Sequence, residues 1–572
     1  MIHFNLINDG WIPVSSLSSR EISSIGVKEL LRKASEYQCV QGDTPLETAA
    51  IYRLLIAFVH AAYADQDKSS LSDLETWRRL WLEEQRFDGD IIDAYCNKYQ
   101  SRFNLFDDAR PFYQHAKLTG KVEPVSSLMG HVSSGADATL FNHNTKENSV
   151  QLSLGKAARA IVTIHAFGLA GTKGSTSQFG DAPCARGVMF FVEGDNLFET
   201  LFLNLFERDL RSHRLKYREE DRPVWELGDA FASSPKRPYG LLDHLTWQNR
   251  RILLIEPKGE NEQIAEMIYA PGLKSSDVKA KSVREVFNPF YHWNAKTDDS
   301  GARDPSERSH SPIVFREGKA LWRDSATLFE LPLEDEGRDK PPAPLTHVRI
   351  LADEGVVPRH RTYRLLAIGA CTESGRDKTF FYRAENLLLP LDYLDERNAS
   401  LVSDLANAIS LAEKVGKLLN RCAFLLAWLV TKPTTPDQEF EEPGKPFDEQ
   451  TRIETKYTAG ANERSKDQDA QKAYKLFSSF GVERLYWSGL ETQFYRFLQD
   501  LPSEPEEAKE EWRKQLRRAA RATFKQATDY AGADRRALRA VIKAQEQFDM
   551  GVGYLLNVKT INSNQGGDSD GK

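Results

Sequence analysis

From Ala399 onward the chain loses every strand signal, and that change of texture limits the fold more than any other feature. Leu401–Val430 carries apolar residues recurring at three and four, the spacing of one helix face. Pro433, Pro436, Pro443 and Pro446 end that pattern and make the following stretch a loop. Helical patterns resume over 467–500, 505–530 and 534–550. Four helices in about 150 residues, with nothing strand-like between them, predict an up-and-down four-helix bundle over 396–558. The Ser/Gly/Asp-rich end, 559–572, is expected to be disordered.

The preceding residues read differently. A chain of 572 residues needs at least two domains, because single cores stop growing near 250–300 residues. Phe4–Val14 reads as a strand, an Asn-Asp-Gly turn and a second strand whose Trp11 and Ile12 need a core. Leu46–Tyr63 is apolar on nearly every face, as a buried helix should be. Ala160–Thr163, Val188–Val192 and Arg251–Ile255 read as strands. Residues 1–395 are therefore expected to form a large mixed α/β domain, giving an α+β protein with the bundle behind it. Three long loops, 167–187, 294–312 and 332–345, interrupt that domain, and loops of such length are usually functional or disordered.

Bulk charge offers no sign of a nucleic-acid partner: the net charge is −7 and the pI near 6.0. Contact with a polyanion has to come from local basic patches or from a neutral, backbone-lined surface. The five cysteines are scattered, which excludes a C-x-x-C zinc pattern and argues against a disulfide framework. Asn5, Asn8 and Asp9 break up any signal-like apolar run, and Cys422–Val430, at nine residues, is far short of a span. A cytoplasmic protein without a membrane segment is expected.

The chemistry of common enzymes is missing from the sequence. Gly168–Ser175 has glycines and a lysine but not the G-x-x-x-x-G-K-[ST] spacing. There is no H-E-x-x-H, no Gly-x-Ser-x-Gly elbow, and no histidine within four positions of another. His115, beside Pro111-Phe112-Tyr113, reads as a packed or surface residue. No catalytic residue, metal or cofactor is expected. The alternative is a stand-alone metal-dependent nuclease using carboxylates without a motif.

Four segments remain that can carry function. Residues 168–180 hold four glycines in thirteen positions, which lets a backbone approach a narrow surface with no Cβ in the way. On composition alone this is a flexible surface loop. Leu140-Phe141-Asn142-His143 and Gly375-Arg376-Asp377-Lys378 both read as turns. Between Glu511 and Gln545 stand ten basic residues against three acids, a local excess of seven positive charges in an acidic protein. On a helix, Lys514, Arg517, Arg518, Arg521 and Lys525 fall on one face, usually a solvated one but suited to a phosphate backbone.

The wording of the whole chain resembles one family. Phe4-Asn5-Leu6-Ile7-Asn8-Asp9-Gly10-Trp11-Ile12-Pro13-Val14, the Asp43-x-x-Leu46 helix start, Arg110-Pro111-Phe112-Tyr113-Gln114, Phe191-Val192-Glu193-Gly194 and Gln493-Phe494-Tyr495-Arg496 are similar to the large (CasA-type) subunit of the type I-E CRISPR surveillance complex Cascade. The resemblance implies an α/β domain followed by a four-helix bundle, and no catalysis. It implies binding to other Cascade subunits and CRISPR RNA, and recognition of the protospacer-adjacent motif (PAM) in double-stranded DNA. Opening of the duplex for R-loop formation and recruitment of a helicase–nuclease follow from it too. This is RNA-guided antiviral defence, in which protein reads the PAM and base pairing reads sequence.

The resemblance also implies roles. The glycine-rich segment would enter the minor groove, about 6 Å wide, with Gly171, Thr172, Lys173 and Gly174 deepest. Asn142 would begin a second loop beside the PAM. Lys274 matches the run near the PAM-reading lysine, with Lys279 or Lys281 as alternatives. Gly375, Arg376, Asp377 and Lys378 take the place of a wedge that opens the first base pairs; the family glutamine is absent, and Arg376 could stack on an unpaired base. The local positive excess, and not the resemblance, places Arg517, Arg518 and Arg521 on a DNA path along the bundle, along either flanking duplex or the displaced strand.

Overall fold

The computed structural model describes residues 2–65, 71, 73–129, 150–173, 177–231, 240–257, 262–273, 286–295, 310–331, 339–372, 379–431 and 468–557. Contacts divide the chain into two compact units. One comprises Met1–Glu317 with Thr327–Asn398, the other Gly318–Ala326 with Ala399–Lys572. The second unit thus takes nine residues from far upstream, a feature with no counterpart in the sequence reading.

The first unit is built around helix Pro45–Ala64. Thr44 caps it by accepting the Glu47 N–H at 3.2 Å, and Pro45 sits at the first helical position, where its missing donor costs nothing. Sixteen of its twenty residues are buried, so the all-round apolar pattern does mark a core helix. By length and composition this helix could also cross a membrane, a stretch passed over in the sequence reading; 89% of its apolar window is buried inside the unit.

Against it lies an antiparallel sheet of three strands, with Thr362–Thr372 between Thr379–Pro390 and Val188–Glu193. Two further three-stranded sheets are antiparallel: Ile12–Ser16 between Ile22–Ile25 and Tyr37–Val40, and Glu266–Pro271 between Val122–Pro124 and Arg250–Leu254.

Two local expectations are corrected. Phe4–Val14 is not a hairpin. Asn5–Asp9 forms a turn in which the Asn5 carbonyl accepts the Asp9 N–H at 2.7 Å, and the flanking backbone pairs with Phe103 and Leu105 instead. Trp11 is fully buried as expected, its Nε1–H donating to the Leu6 carbonyl at 2.8 Å. Ala160–Thr163 lies inside helix Leu154–Phe167. Ile161, Val162 and Thr163 imitate a strand by β-branching, but the Ser153 cap and the packing of Ala157, Ala158 and Ile161 override that preference.

In the second unit five helices are described: Ala399–Thr431, Gln468–Ser479, Val482–Asp500, Pro505–Tyr530 and Arg535–Asn557. The single helix expected over 467–500 is broken at Gly481, whose φ of +60° is left-handed and favours glycine. The first helix contacts each of the other four. Trp322, from the upstream segment, stacks on Phe494 with centroids 4.4 Å apart and meets Trp487 and Trp512 edge-on. Arg323 lies 3.8 Å over the Trp487 ring and pairs with Glu413 at 2.6 Å. The upstream segment therefore fills the core of this unit.

Candidate nucleic-acid interface

Gly171–Lys173 and Ser177–Phe179 pair antiparallel, with Gly171 opposite Phe179 and Lys173 opposite Ser177. The expected loop is thus a hairpin over these residues; Gly174 and its neighbours to 176 lie outside the described residues. The base of the hairpin is fastened on both sides. The Ala170 N–H donates to Asp181 Oδ1 at 2.6 Å, and Asp181 Oδ2 accepts from Arg186 at 3.0 Å. The Ala182 N–H then reaches the Gly168 carbonyl at 2.7 Å.

The strongest tie comes from the start of strand Arg250–Leu254. Arg250 is 2% exposed. It donates to the Leu169 carbonyl at 2.8 Å on one side of the hairpin and to the Gly180 carbonyl at 2.9 Å on the other. Its guanidinium lies 4.8 Å over the Phe179 ring, which stacks on Tyr269 at 5.1 Å. Asn249, equally buried, donates to the carbonyls of Gly180 and Asp181 at 3.2 and 3.1 Å. The strand is itself held from below: the Arg250 N–H donates to His165 Nδ1 at 3.3 Å, which leaves the other ring nitrogen to donate to the Tyr113 carbonyl at 3.1 Å. That arrangement needs a neutral imidazole, and burial pushes the His165 pKa down to about 3.

The same strand start, with Gln248 before it, holds a second segment. The Leu273 N–H donates to the Gln248 carbonyl at 2.9 Å, and the Gly272 N–H to the Asn249 carbonyl at 3.1 Å. A Cβ on Gly272 would stand 2.5 Å from the Arg250 nitrogen, so only glycine permits this approach. Leu273 is the last described residue before Lys274, which with Lys279 and Lys281 lies outside the described residues. The base of the glycine hairpin and the entry to the Lys274 segment are therefore fixed on one strand start.

Asn142 also lies outside the described residues, as do Gly375, Arg376, Asp377 and Lys378. The arms that carry the latter four are described. Thr362–Thr372 and Thr379–Pro390 stay in register from Thr362 opposite Pro390 to Thr372 opposite Thr379, with one irregularity at Cys371/Thr372. Gly369 pairs with Val188, the first strand residue after the glycine hairpin, so both features leave from the same end of the sheet.

The three arginines sit on helix Pro505–Tyr530, Arg518 and Arg521 away from its buried Trp512, Leu516, Ala520 and Phe524 line and Arg517 at the edge of that line. Arg518 and Arg521 are exposed and Arg517 half-buried. Arg521 faces Asp549 at 3.8 Å, while Arg513 and Lys514 pair with Glu510 and Glu511 one turn back. Part of the local positive excess is thus answered within the unit, and Arg518 makes no ion pair among the described residues. Also among the described residues, no three His, Cys, Asp or Glu side chains converge to hold a metal ion. His115 packs edge-on against Phe231 at 5.2 Å.

The sequence reading missed Arg250, Asn249, Phe179 and Tyr269. The only signal was a polar Gln248-Asn249-Arg250-Arg251 run at the head of an apolar strand.

Comparison with known proteins agrees with the resemblance noted above. The family profile of CRISPR-associated protein Cse1 matches residues 5–523. The CRISPR-associated protein CasA/Cse1 of Thermus thermophilus is 29% identical over 568 residues, covering 96% of this chain and 98% of that protein. The crystal structure of Cse1 from Acidimicrobium ferrooxidans shares the fold, with a TM-score of 0.74 at 21% identity over 97% of this chain and 99% of that one. So does a chain of a CRISPR RNA-guided surveillance complex, with a TM-score of 0.68 at 17% identity over 96% of this chain and all of its counterpart. The profile match spans most of the sequence, and the chain belongs to the CRISPR-associated Cse1 family.

Proposed function

We propose that this chain is the non-catalytic large subunit of an RNA-guided antiviral complex of the Cascade type, and that it reads the PAM of double-stranded DNA through the minor groove. The observation that carries the reading is the shared anchor: a glycine hairpin and the entry to the Lys274 segment rise from one rigid strand start. A thin glycine edge with a cation beside it suits a groove too narrow for a helix. Family membership and the fold shared with a chain of a surveillance complex support assembly with other subunits and CRISPR RNA.

In this reading the protein works in the cytoplasm, needs no cofactor and contacts no membrane. Gly375, Arg376, Asp377 and Lys378 help open the duplex, Asn142 stands beside the PAM, and a helicase–nuclease is recruited after the R-loop forms. The helices of the second unit act as an up-and-down bundle beside the DNA path.

The test replaces Gly171 and Gly174 by Val in the assembled complex and compares affinity for duplexes with and without a PAM. Loss of PAM discrimination with assembly intact is expected. Unchanged discrimination contradicts the assignment.

A further inference from the structure

We infer that Arg250 is the positioning residue of this PAM reader, a single buried guanidinium that sets the spacing between the glycine hairpin and the segment leading into Lys274. The inference rests on the function proposed above. It begins from an imbalance. Arg250 is 2% exposed, yet no carboxylate pairs with it among the described residues. Every acceptor it has is neutral: the Tyr269 hydroxyl at 2.8 Å, the Leu169 carbonyl at 2.8 Å, the Gly180 carbonyl at 2.9 Å, and the carbonyl and side-chain oxygens of Asn249.

A buried cation without a counter-charge is costly, and an aliphatic side chain would fill the same space at less expense. What an aliphatic residue cannot do is hold four separate groups in one plane. Arginine presents five donors in a fixed fork, whereas lysine is a point charge on a flexible stem. The acceptors lie where such a fork matters. Leu169 and Gly180 flank the two arms of the hairpin, and Tyr269 belongs to the neighbouring strand Glu266–Pro271, which runs directly into Gly272 and Leu273. Phe179, at the end of the returning arm, covers the guanidinium and stacks on Tyr269. Hairpin, strand and Lys274 entry are thereby indexed to one side chain.

The test uses the assembled complex with Arg250→Met, Arg250→Lys and the milder Tyr269→Phe. Amide exchange is followed over 169–182 and 272–273, with 362–369 as an internal reference, beside affinity for duplexes with and without a PAM. In Arg250→Met the hairpin base and residues 272–273 should exchange on the order of tenfold faster or more, as their local opening becomes easier, while the reference strand does not change. PAM discrimination should fall on the order of tenfold with affinity for PAM-less DNA retained. Arg250→Lys should not rescue either readout. Adding Gly171→Val and Gly174→Val to Arg250→Met should cost little more, because both act through the hairpin.

Unchanged exchange at the hairpin base, or fully additive losses, overturns the inference. Should Arg250→Met fail to assemble, Tyr269→Phe decides: smaller changes of the same sign support the inference, and no change in either readout overturns it. Faster exchange with discrimination intact, in Arg250→Met and the glycine pair alike, overturns the function proposed above and leaves the positioning of the hairpin standing. Discrimination lost in the glycine pair alone overturns Arg250's part in reading.

Discussion

Arg159 shows how single side chains knit distant parts of the first unit together. It is 5% exposed, donates to the Trp11 carbonyl at 2.8 Å, pairs with Glu47, and reaches Asp43 at 3.5 Å. The opening segment, the start of the core helix and helix Leu154–Phe167 therefore meet at one guanidinium. Removing one partner of a buried pair leaves the other charge stranded, at about 3–5 kcal/mol. Arg159→Met is predicted to lower stability by that amount in denaturant unfolding. A further Glu47→Leu change should recover much of the loss, because it removes the stranded carboxylate. Equal stability of Arg159→Met and the parent would show that the network contributes nothing.

Among the elements, those whose pattern and packing agree were legible in the sequence. Pro45–Ala64 announced itself by apolar residues on every face and a Thr-Pro start, and Val188–Glu193 and Arg250–Leu254 by short apolar runs. Elements decided by tertiary partners were not legible. Ile161-Val162-Thr163 carries strand preference but is held helical by its neighbours. Gly481, inside the single helix expected over 467–500, breaks that helix with a left-handed φ. Nothing near Trp322 signals that Gly318–Ala326 belongs with the helices that begin at Ala399. The candidate site divides the same way: the glycine-rich run stands out in the sequence, whereas Arg250 acts mainly through backbone carbonyls that any residue could supply.

Opening each base-pair step costs about 1.4 kcal/mol of stacking. Arg376→Ala with Lys378→Ala should therefore slow R-loop formation on paired DNA and be rescued by a bubble beside the PAM. Equal defects on both targets would point to docking instead. Alanine at Arg517, Arg518 and Arg521 should weaken DNA binding alike for all sequences and make the log-affinity against log-salt slope shallower by up to ~0.9 per lost duplex contact. A variant that melts earlier with its slope unchanged would assign these arginines to the internal pairing already seen at Asp549.

At the scale of the molecule, histidine is distributed unevenly: all twelve lie before residue 361 and none in Ala399–Lys572. Burial pushes His60, His165 and His213 down to about 3 and His347 to about 4, and holds His244 well below its usual value. Among the described residues, His60 and His244 each keep a buried Nε2 without a hydrogen-bond partner, so protonation would bury a charge. A folded pKa below the unfolded value near 6.5 means the unfolded chain binds more protons. This stability is complete above pH 6.5 and is lost as pH falls toward 3–4, by about 1.4 kcal/mol per pH unit for each such histidine. The first unit is predicted to open first on acidification, with net proton uptake. Hydrogen exchange at stepped pH would show amides of Thr362–Thr372 losing protection before those of Pro505–Tyr530. The reverse order would contradict the assignment.

Minor-groove reading by a glycine edge is open to direct test with base analogues. After a PAM is selected from a randomised duplex library, each purine in it is replaced in turn. A 7-deaza analogue alters only the major-groove edge; inosine for guanine, or 2,6-diaminopurine for adenine, alters the minor-groove amino group. Affinity of the assembled complex should hold with the 7-deaza duplexes and fall on the order of tenfold or more when the minor-groove amino group is gained or lost at a read position. Sensitivity to 7-deaza substitution, with indifference to the minor-groove changes, would contradict the account.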